Sequence, residues 1–374
     1  MAIKRYTANK DNTITNAYKS NLTRRGVSGN MGQADILETF AIYAQESSAS
    51  HEKSRILVQF PVDTMLTDRN NGDLPASGSV SFYLRLFNAE HSQTTPKNFT
   101  LAIQPISKDW DEGLGLDMEE YADIDASNWI SASEGTAWTA EGGDYLDDLS
   151  SSFSQTFDTG FEDMEVDISS LVEQWISASN GSPVSGDPLG SKTNYGVGIF
   201  LTSSLETASY SYYTKKFFAR QSQFFFKRPM IEARWDDSKS DDRNNFYLSS
   251  SLVPASDNLM NLYLYNIVKG QLTDIPAVGT NPIHVSIFSG SSTTGPTGSA
   301  LFLPAGGGVV TLGDVNVTAS HVETGIYSAS FAYPSASITT IYDVWHSGTS
   351  VLASSERQYH TGSMIAVKTY DSSE

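Results

Sequence analysis

The residues best suited to chemistry are carboxylates that crowd into one part of the chain. Residues 109–191 contain 20 Asp and Glu and no Lys or Arg, so this segment carries the whole net charge of −19. Calcium binds several oxygen ligands, many of them from Asp and Glu on loops. The candidate Ca²⁺ ligands are Asp109, Asp111, Asp117 and Glu120. Their order differs from that of an EF-hand loop, so a solvated acidic loop is the alternative interpretation.

If calcium binds there, it should modestly stabilise residues 109–125, and a melting temperature unchanged by a chelator would contradict the idea. The same carboxylates could instead form the acid pair of a glycoside hydrolase. Such a pair needs a cleft and one carboxyl group with a raised pKa, and density alone indicates a solvated run of charge. The chain has no cysteine, and its six histidines lack the spacing of metal or catalytic motifs. We therefore predict a protein that is not an enzyme, with no catalytic residues and no required cofactor.

Three tryptophans, Trp110, Trp129 and Trp138, lie inside the acidic segment. Exposed aromatic rings of this kind stack on sugar rings in glycan-binding modules, where nearby polar groups bind the hydroxyls. The alternative is that each ring anchors its long loop on a β-sandwich. Loss of binding on a glycan array after Trp110→Ala or Trp129→Ala would favour the first interpretation.

The main basic cluster follows, within the Tyr- and Phe-rich residues 210–229. Its cations are Lys215, Lys216, Arg220, Lys227 and Arg228. Nucleic-acid binding depends on clustered cations, and the net charge of −19 argues against it. The alternation of residue types predicts a paired strand whose cations face the acidic loops. A protein–protein interface is the second interpretation, since Tyr, Phe and Arg are enriched at interfaces.

Short strands must position these residues. In the first part of the chain, alternating or short apolar runs predict strands near 55–60, 79–87, 99–106, 164–168, 195–201 and 227–235. One helix is predicted after Asp167, which can cap it, with Leu171, Val172 and Trp175 on one face. A second short helix is predicted at 117–121.

The composition divides the chain into two domains. Residues 236–258 are polar and are predicted to form a connector. Residues 259–374 contain only seven acidic and three basic residues. Strands are predicted in this last part at 262–266, 283–288, 309–312, 315–318, 326–331, 338–345, 351–354 and 365–369. This spacing is typical of an immunoglobulin-like sandwich. The predicted class is all-β, with a β-sandwich domain at 1–235 that carries long acidic loops and one short helix.

The sequence shows no apolar leader, no apolar run of membrane-spanning length and no lipidation motif. We expect no membrane partner. The expected routes are synthesis in the cytoplasm, export without a classical signal, or release by lysis as for virion proteins.

The first 235 residues resemble DNRLRE-type domains, jelly-roll modules related to carbohydrate-binding domains. Eight pieces in order carry the resemblance: residues 11–14, 30–37, 54–60, 80–87, 108–113 (Lys-Asp-Trp-Asp-Glu-Gly), 166–175, 194–198 (Asn-Tyr-Gly-Val-Gly) and 229–233. The acidic insertions after Gly113 and the run of phenylalanines at 224–226 depart from that pattern.

The chain is also similar to virion structural proteins of tailed bacteriophages, especially myophages. The matching pieces span both domains: residues 55–60, 113–117, 224–235, 241–247 and 262–272. The resemblance implies a non-enzymatic particle component, located in the virion, that decorates or connects parts of the capsid, neck or tail. Its partners would be other virion proteins and copies of itself. The alternative is a glycan-binding module that attaches the particle to a host surface.

The net charge limits how copies of the chain could contact one another. At a net charge of −19, acidic faces of two copies cannot simply abut. We expect acidic loops to meet the basic region head to tail, or a cation to lie between them.

Overall fold

The computed structural model describes residues 2–148, 151–180, 192–237, 239, 241–244, 246–293, 295–304, 317–333, 339–347 and 357–367. It contains 45% strand and 11% helix, which confirms the predicted all-β sandwich class. The chain forms two compact units, Met1–Asp237 and Ser238–Glu374. No helix in the described ranges is long and apolar enough to cross a membrane.

The first unit contains fifteen described strands and three α-helices. The strands are β1 (Ala2–Thr7), β2 (Lys10–Thr15), β3 (Gly29–Asn30), β4 (Ile36–Tyr43), β5 (His51–Gln59), β6 (Ser81–Leu86), β7 (Phe99–Pro105), β8 (Asp117–Ala122), β9 (Ser131–Ser133), β10 (Thr136–Ala137), β11 (Phe153–Phe157), β12 (Met164–Asp167), β13 (Val197–Leu201), β14 (Tyr212–Phe218) and β15 (Met230–Trp235). The helices are α1 (Val62–Asn71), α2 (Ser169–Ser179) and α3 (Ser203–Glu206), and a 3₁₀ turn spans Phe225–Lys227.

Two antiparallel sheets enclose the main core of this unit. The smaller has the order β1-β15-β6-β12, and the larger has the order β11-β7-β13-β5-β4-β14 with β2 also paired to β5. Strand β6 shows why the sequence folds this way, because Phe82, Leu84 and Leu86 alternate with less buried residues and all point into the core. All six strands predicted in this part of the chain are present.

Helix α2 is present as predicted, with Leu171, Val172 and Trp175 buried. The Asp167 carboxylate accepts a hydrogen bond from the Ser169 N–H (2.9 Å), so it satisfies one free donor at the start of the helix. Helix α1 was not expected. It follows Pro61 and ends at Gly72, whose φ of 83° lies in the left-handed region.

The helix predicted at 117–121 is wrong, because these residues belong to strand β8, which pairs with β3. The reason is a close backbone contact. A Cβ atom on Gly26 or Gly29 would lie 2.6 or 2.7 Å from the Met118 carbonyl oxygen, so only glycine allows the two segments to meet. This contact over about ninety residues outweighs the weak local helix preference.

The second unit is an eight-stranded sheet around its own core. Its strands are β16 (Phe246–Tyr247), β17 (Met260–Tyr265), β18 (Ile267–Val268), β19 (Gln271–Leu272), β20 (Ile283–Ser292), β21 (Gly295–Ala300), β22 (Val317–Glu323), β23 (Ile326–Phe331), β24 (Thr339–His346) and β25 (Gln358–Val367). The order is β16-β25-β24-β20-β22-β23-β17, with β21 on β20 and β18-β19 as a separate hairpin. The strands predicted at 309–312 and 351–354 lie outside the described residues.

Part of the predicted connector packs into this second core. Phe246 is fully buried, and β16 pairs in parallel with β25. Just before it, Arg243 binds the buried Asp343 of β24 through two nitrogen–oxygen contacts of 2.5 and 2.7 Å. The Trp345 indole N–H also donates to Asp343 (2.8 Å). These bonds outweigh the cost of burial and lower the pKa of the Asp343 carboxyl group.

Candidate interaction site

The three tryptophans of the acidic segment are buried in the first unit. Trp110, Trp129 and Trp138 are 1%, 4% and 5% exposed and cluster with Ile14 and Leu57. The Trp110 indole N–H donates to the Tyr195 carbonyl oxygen (2.8 Å), and the Trp138 indole N–H donates to that of Asn128 (2.8 Å). We call this cluster the tryptophan layer. Its rings anchor the acidic loops on the larger sheet and leave no ring face for a sugar.

Arg55 lies at the edge of the tryptophan layer. It forms a two-point ion pair with Glu206 (2.9 and 2.7 Å) and donates to the Gly142 carbonyl oxygen (3.1 Å). Its guanidinium group also lies 5.5 Å from the Trp129 ring centre and 4.7 Å from that of Phe200. A half-buried arginine with a paired carboxylate and stacked rings is a structural clamp.

The acidic loop, residues 109–125, is held in place by one buried asparagine of β3, Asn30. The Asn30 side-chain amide donates to the carbonyl oxygens of Glu112 (2.9 Å) and Ser127 (2.8 Å), and its oxygen accepts from the N–H groups of Gly32 and Gly115. A Cβ on Gly32 would lie 2.2 Å from the Glu112 carbonyl oxygen. The acidic loop is therefore fixed at both ends.

We expect Asn30→Ala to destabilise the first unit by about 2–3 kcal/mol, because buried backbone groups would lose their partners. Denaturant unfolding measures the loss. Asn71→Ala, at the exposed last residue of α1, is the matched control and should change stability by less than about 0.5 kcal/mol. Equal effects of the two changes would refute the anchoring role.

The four candidate calcium ligands are spread along this loop. Asp109 accepts from the Trp110 N–H (2.9 Å) and lies 3.6 Å from the Lys10 ammonium nitrogen. Asp117 accepts from the Glu119 N–H (2.9 Å), Asp111 is exposed, and the side chain of Glu120 lies outside the described residues. Within the described side chains, no three His, Asp or Glu converge as a metal site. The calcium site stays a prediction.

A carboxyl group that sequence reasoning did not single out has the most unusual environment here. Asp11 of β2 is fully buried; one oxygen accepts from the Arg220 N–H (2.5 Å), and the other has no hydrogen-bond partner. The pKa of Asp11 is raised from 3.8 to about 7, chiefly by burial. The negative charge of Glu112 also raises this pKa, whereas the Arg220 N–H and the charges of Arg220 and Arg228 lower it.

This pKa predicts a pH dependence of stability. The unfolded chain releases the Asp11 proton near pH 3.8, whereas the folded chain holds it up to about pH 7. The unfolded state thus binds fewer protons in this window, and the Asp11 contribution to stability falls as pH rises. We expect denaturation curves of the native protein and Asp11→Asn to agree near pH 4 and the variant to be the more stable at pH 8. Parallel pH profiles would contradict the assignment.

Three of the five candidate interface cations lie in β14 or just after it and bind groups of the same unit. Lys215 is 1% exposed and donates to Asn88 Oδ1 (2.6 Å) and to the carbonyl oxygens of Gly160 (2.9 Å) and Glu162 (2.8 Å), and burial lowers its pKa to about 8. The other two pair with carboxylates: Lys216 with Glu38 at 3.3 Å and Arg220 with Glu112 at 2.6 Å.

The remaining candidate cations, Lys227 and Arg228, belong to an exposed loop. The predicted strand is correct for β14, but residues 224–228 leave the sheet in the 3₁₀ turn, so the strand interpretation is wrong there. Phe224, Phe225 and Phe226 are 48%, 57% and 76% exposed. Lys227 lies 5.0 Å from the Phe218 ring centre, and Arg228 lies 5.3 Å from that of Phe225. We call residues 224–228 the phenylalanine loop.

A second exposed apolar surface lies in the acidic segment. Leu114, Leu116 and Ile124 are 68%, 56% and 69% exposed. Residues 114–125, which we call the acidic tip, also hold five Asp and Glu and no Lys or Arg. Glu119 accepts from the Ser20 N–H and so fastens the tip to the rest of the unit, and within the tip Asp123 accepts from the Leu114 N–H (2.8 Å).

A cleft of about 520 Å³ opens at one end of the smaller sheet and is lined by residues of β1, β6 and β15 and of the segment just before β6. Its lining includes Tyr83, Trp235, Glu232 and Asp236. The Arg234 guanidinium group lies 4.2 Å from the Tyr83 ring centre and also binds Glu232 (2.6 Å). The cleft combines aromatic and charged side chains.

No model of a known protein family matches the chain, and no curated protein matches it either.

Proposed function

We propose that the chain is a structural component of a tailed-bacteriophage particle, which acts through protein–protein interfaces in the capsid, neck or tail. The observation that carries this proposal is the phenylalanine loop. Three successive phenylalanines are expensive to expose to water, and contiguous apolar surface of this kind typically marks a binding surface. The ordered resemblance to phage virion proteins, described from the sequence, supports the same conclusion.

The loop is built for a rigid contact. Phe225 and Phe226 pack edge to face at 5.4 Å, and the Arg228 side chain donates to the Ser222 carbonyl oxygen (3.0 Å). A surface that is ordered before it binds loses little conformational entropy on binding. Such a surface suits a permanent assembly.

Electron microscopy of intact purified particles tests the proposal. We expect copies of the chain in symmetric, stoichiometric positions, with the phenylalanine loop buried against a neighbour. Absence of the chain from purified particles would refute the proposed function.

A glycan-binding module is the second candidate, and the cleft beside Tyr83 and Trp235 is the observation that favours it. Aromatic rings with adjacent carboxylates suit sugar rings and their hydroxyls. A glycan array should then show binding that Tyr83→Ala or Asp236→Ala removes. Binding that survives both changes would exclude this cleft, and Phe161→Ala, at an exposed ring outside the cleft lining, is the matched control.

A further inference from the structure

We infer that the phenylalanine loop of one copy binds the acidic tip of a second copy. This inference deepens the proposed function and rests on it, since it names the partner of an interface that the proposal assumes. The occupant is a second copy of this chain because the chain itself carries the complementary surface.

The two surfaces match in apolar character. The loop presents Phe225 and Phe226, and the tip presents Leu114, Leu116 and Ile124, each at least 56% exposed. Aromatic side chains are the usual anchors of an interface, and they need an apolar surface that excludes water around them. The three aliphatic side chains of the tip provide such a surface.

The two surfaces are opposite in charge. Residues 220–228 contain three cations and no acid, whereas the tip contains five acids and no cation. Arg220 is already paired with Glu112. Of the loop's two cations, Lys227 is exposed and lies 5.7 Å from the Phe224 ring centre. Arg228 is half-buried over the Phe225 ring and donates to the Ser222 carbonyl oxygen. Two copies with a net charge of −19 each repel at long range, and contact is favoured where opposite charges meet.

The loop and the tip lie side by side on the same unit. The Arg220–Glu112 ion pair joins the residue four positions before Phe224 to the residue two positions before Leu114. A two-fold axis near this ion pair lets each copy give its loop to the tip of the other. Both contacts then form at once, as in an isologous dimer.

Sedimentation velocity of the full chain tests the inference over a range of protein concentrations at fixed NaCl. We expect a concentration-dependent shift from the 40.7 kDa monomer to twice that mass. The loop variant Phe225→Ser/Phe226→Ser and the tip variant Leu114→Ser/Ile124→Ser should each raise the dissociation constant at least about tenfold. Phe161→Ser, at an exposed ring outside both surfaces, should leave it unchanged.

Sedimentation of a mixture of the two variants is the decisive experiment. The loop variant keeps an intact tip and the tip variant keeps an intact loop, so the mixture should form a heterodimer through one restored contact. A tip variant that dimerises as well as the native chain would mean that loops pair with loops, and it would overturn the inference. Unchanged melting temperatures of the variants exclude misfolding as the cause.

Two further outcomes count against the inference. A native chain that stays monomeric at all concentrations overturns it, yet leaves the proposed function standing if the chain is found in purified particles. Co-sedimentation of a monomeric chain with phosphatidylserine vesicles, lost in Phe225→Ser/Phe226→Ser, would assign the loop to a membrane surface instead.

Discussion

Asp343→Asn should destabilise the second unit by about 3–5 kcal/mol. The carboxylate is fully buried and holds the guanidinium group of Arg243 at two points, so its loss leaves a poorly compensated charge in the core. The ion pair also ties residues 241–244 to β24, and a Cβ on the adjoining Gly362 would lie 2.5 Å from Arg243. Two experiments on the full chain measure the loss of stability: thermal unfolding monitored by calorimetry, and denaturant unfolding.

The control for this change is Asp257→Asn, at an exposed carboxylate of the same unit, which should cost less than about 0.5 kcal/mol. Arg243→Met should cost about as much as Asp343→Asn. The double variant should cost much less than the sum, since both changes remove one interaction. Additive losses would show that the two side chains act independently.

Trp110→Ala should destabilise the first unit by a similar amount, about 3–5 kcal/mol. The ring is 1% exposed, its indole N–H is bonded to the Tyr195 carbonyl oxygen, and the Lys10 ammonium nitrogen lies 5.6 Å from the ring centre. The change therefore removes packing and leaves a carbonyl group without its donor. Denaturant unfolding followed by far-ultraviolet circular dichroism measures the effect.

Trp110→Phe keeps most of the volume and should cost clearly less than Trp110→Ala. Phe226→Ala, at a ring that is 76% exposed, is the surface control. A stability change below about 1 kcal/mol in Trp110→Ala would refute the anchoring role of the tryptophan layer. Because the variant is expected to loosen the fold, its loss of glycan binding would say nothing about a sugar site.

Local patterns in the sequence predict most of the strands. The alternation in β6 and the cap and apolar face of α2 are properties of neighbouring residues, so they can be read without knowing the fold. Local patterns do not predict helix α1, because it buries only Val62 and Met65 and has no clear apolar face. They do not predict strand β8 either, because its partner Gly29 lies about ninety residues away.

The site depends even more on distant contacts. The excess of acid at 109–191 is visible in the sequence. The pairing of Glu112 with the Arg220 side chain, and of the Asp11 carboxylate with the Arg220 backbone N–H, is not. The burial of Trp110 could have been inferred from β5, where Ile56, Leu57 and Val58 are consecutive and apolar. Such a run is typical of a strand covered on both faces.

Double coverage of the larger sheet has a consequence for how the first unit opens. Ile56 and Val58 face the main core, whereas Leu57 faces the tryptophan layer, and all three are fully buried. We expect this outer layer to detach while the inner sandwich stays folded. In native-state hydrogen exchange, amides of 109–145 should exchange by a sub-global opening of lower free energy, and those of β5 and β13 only by global unfolding.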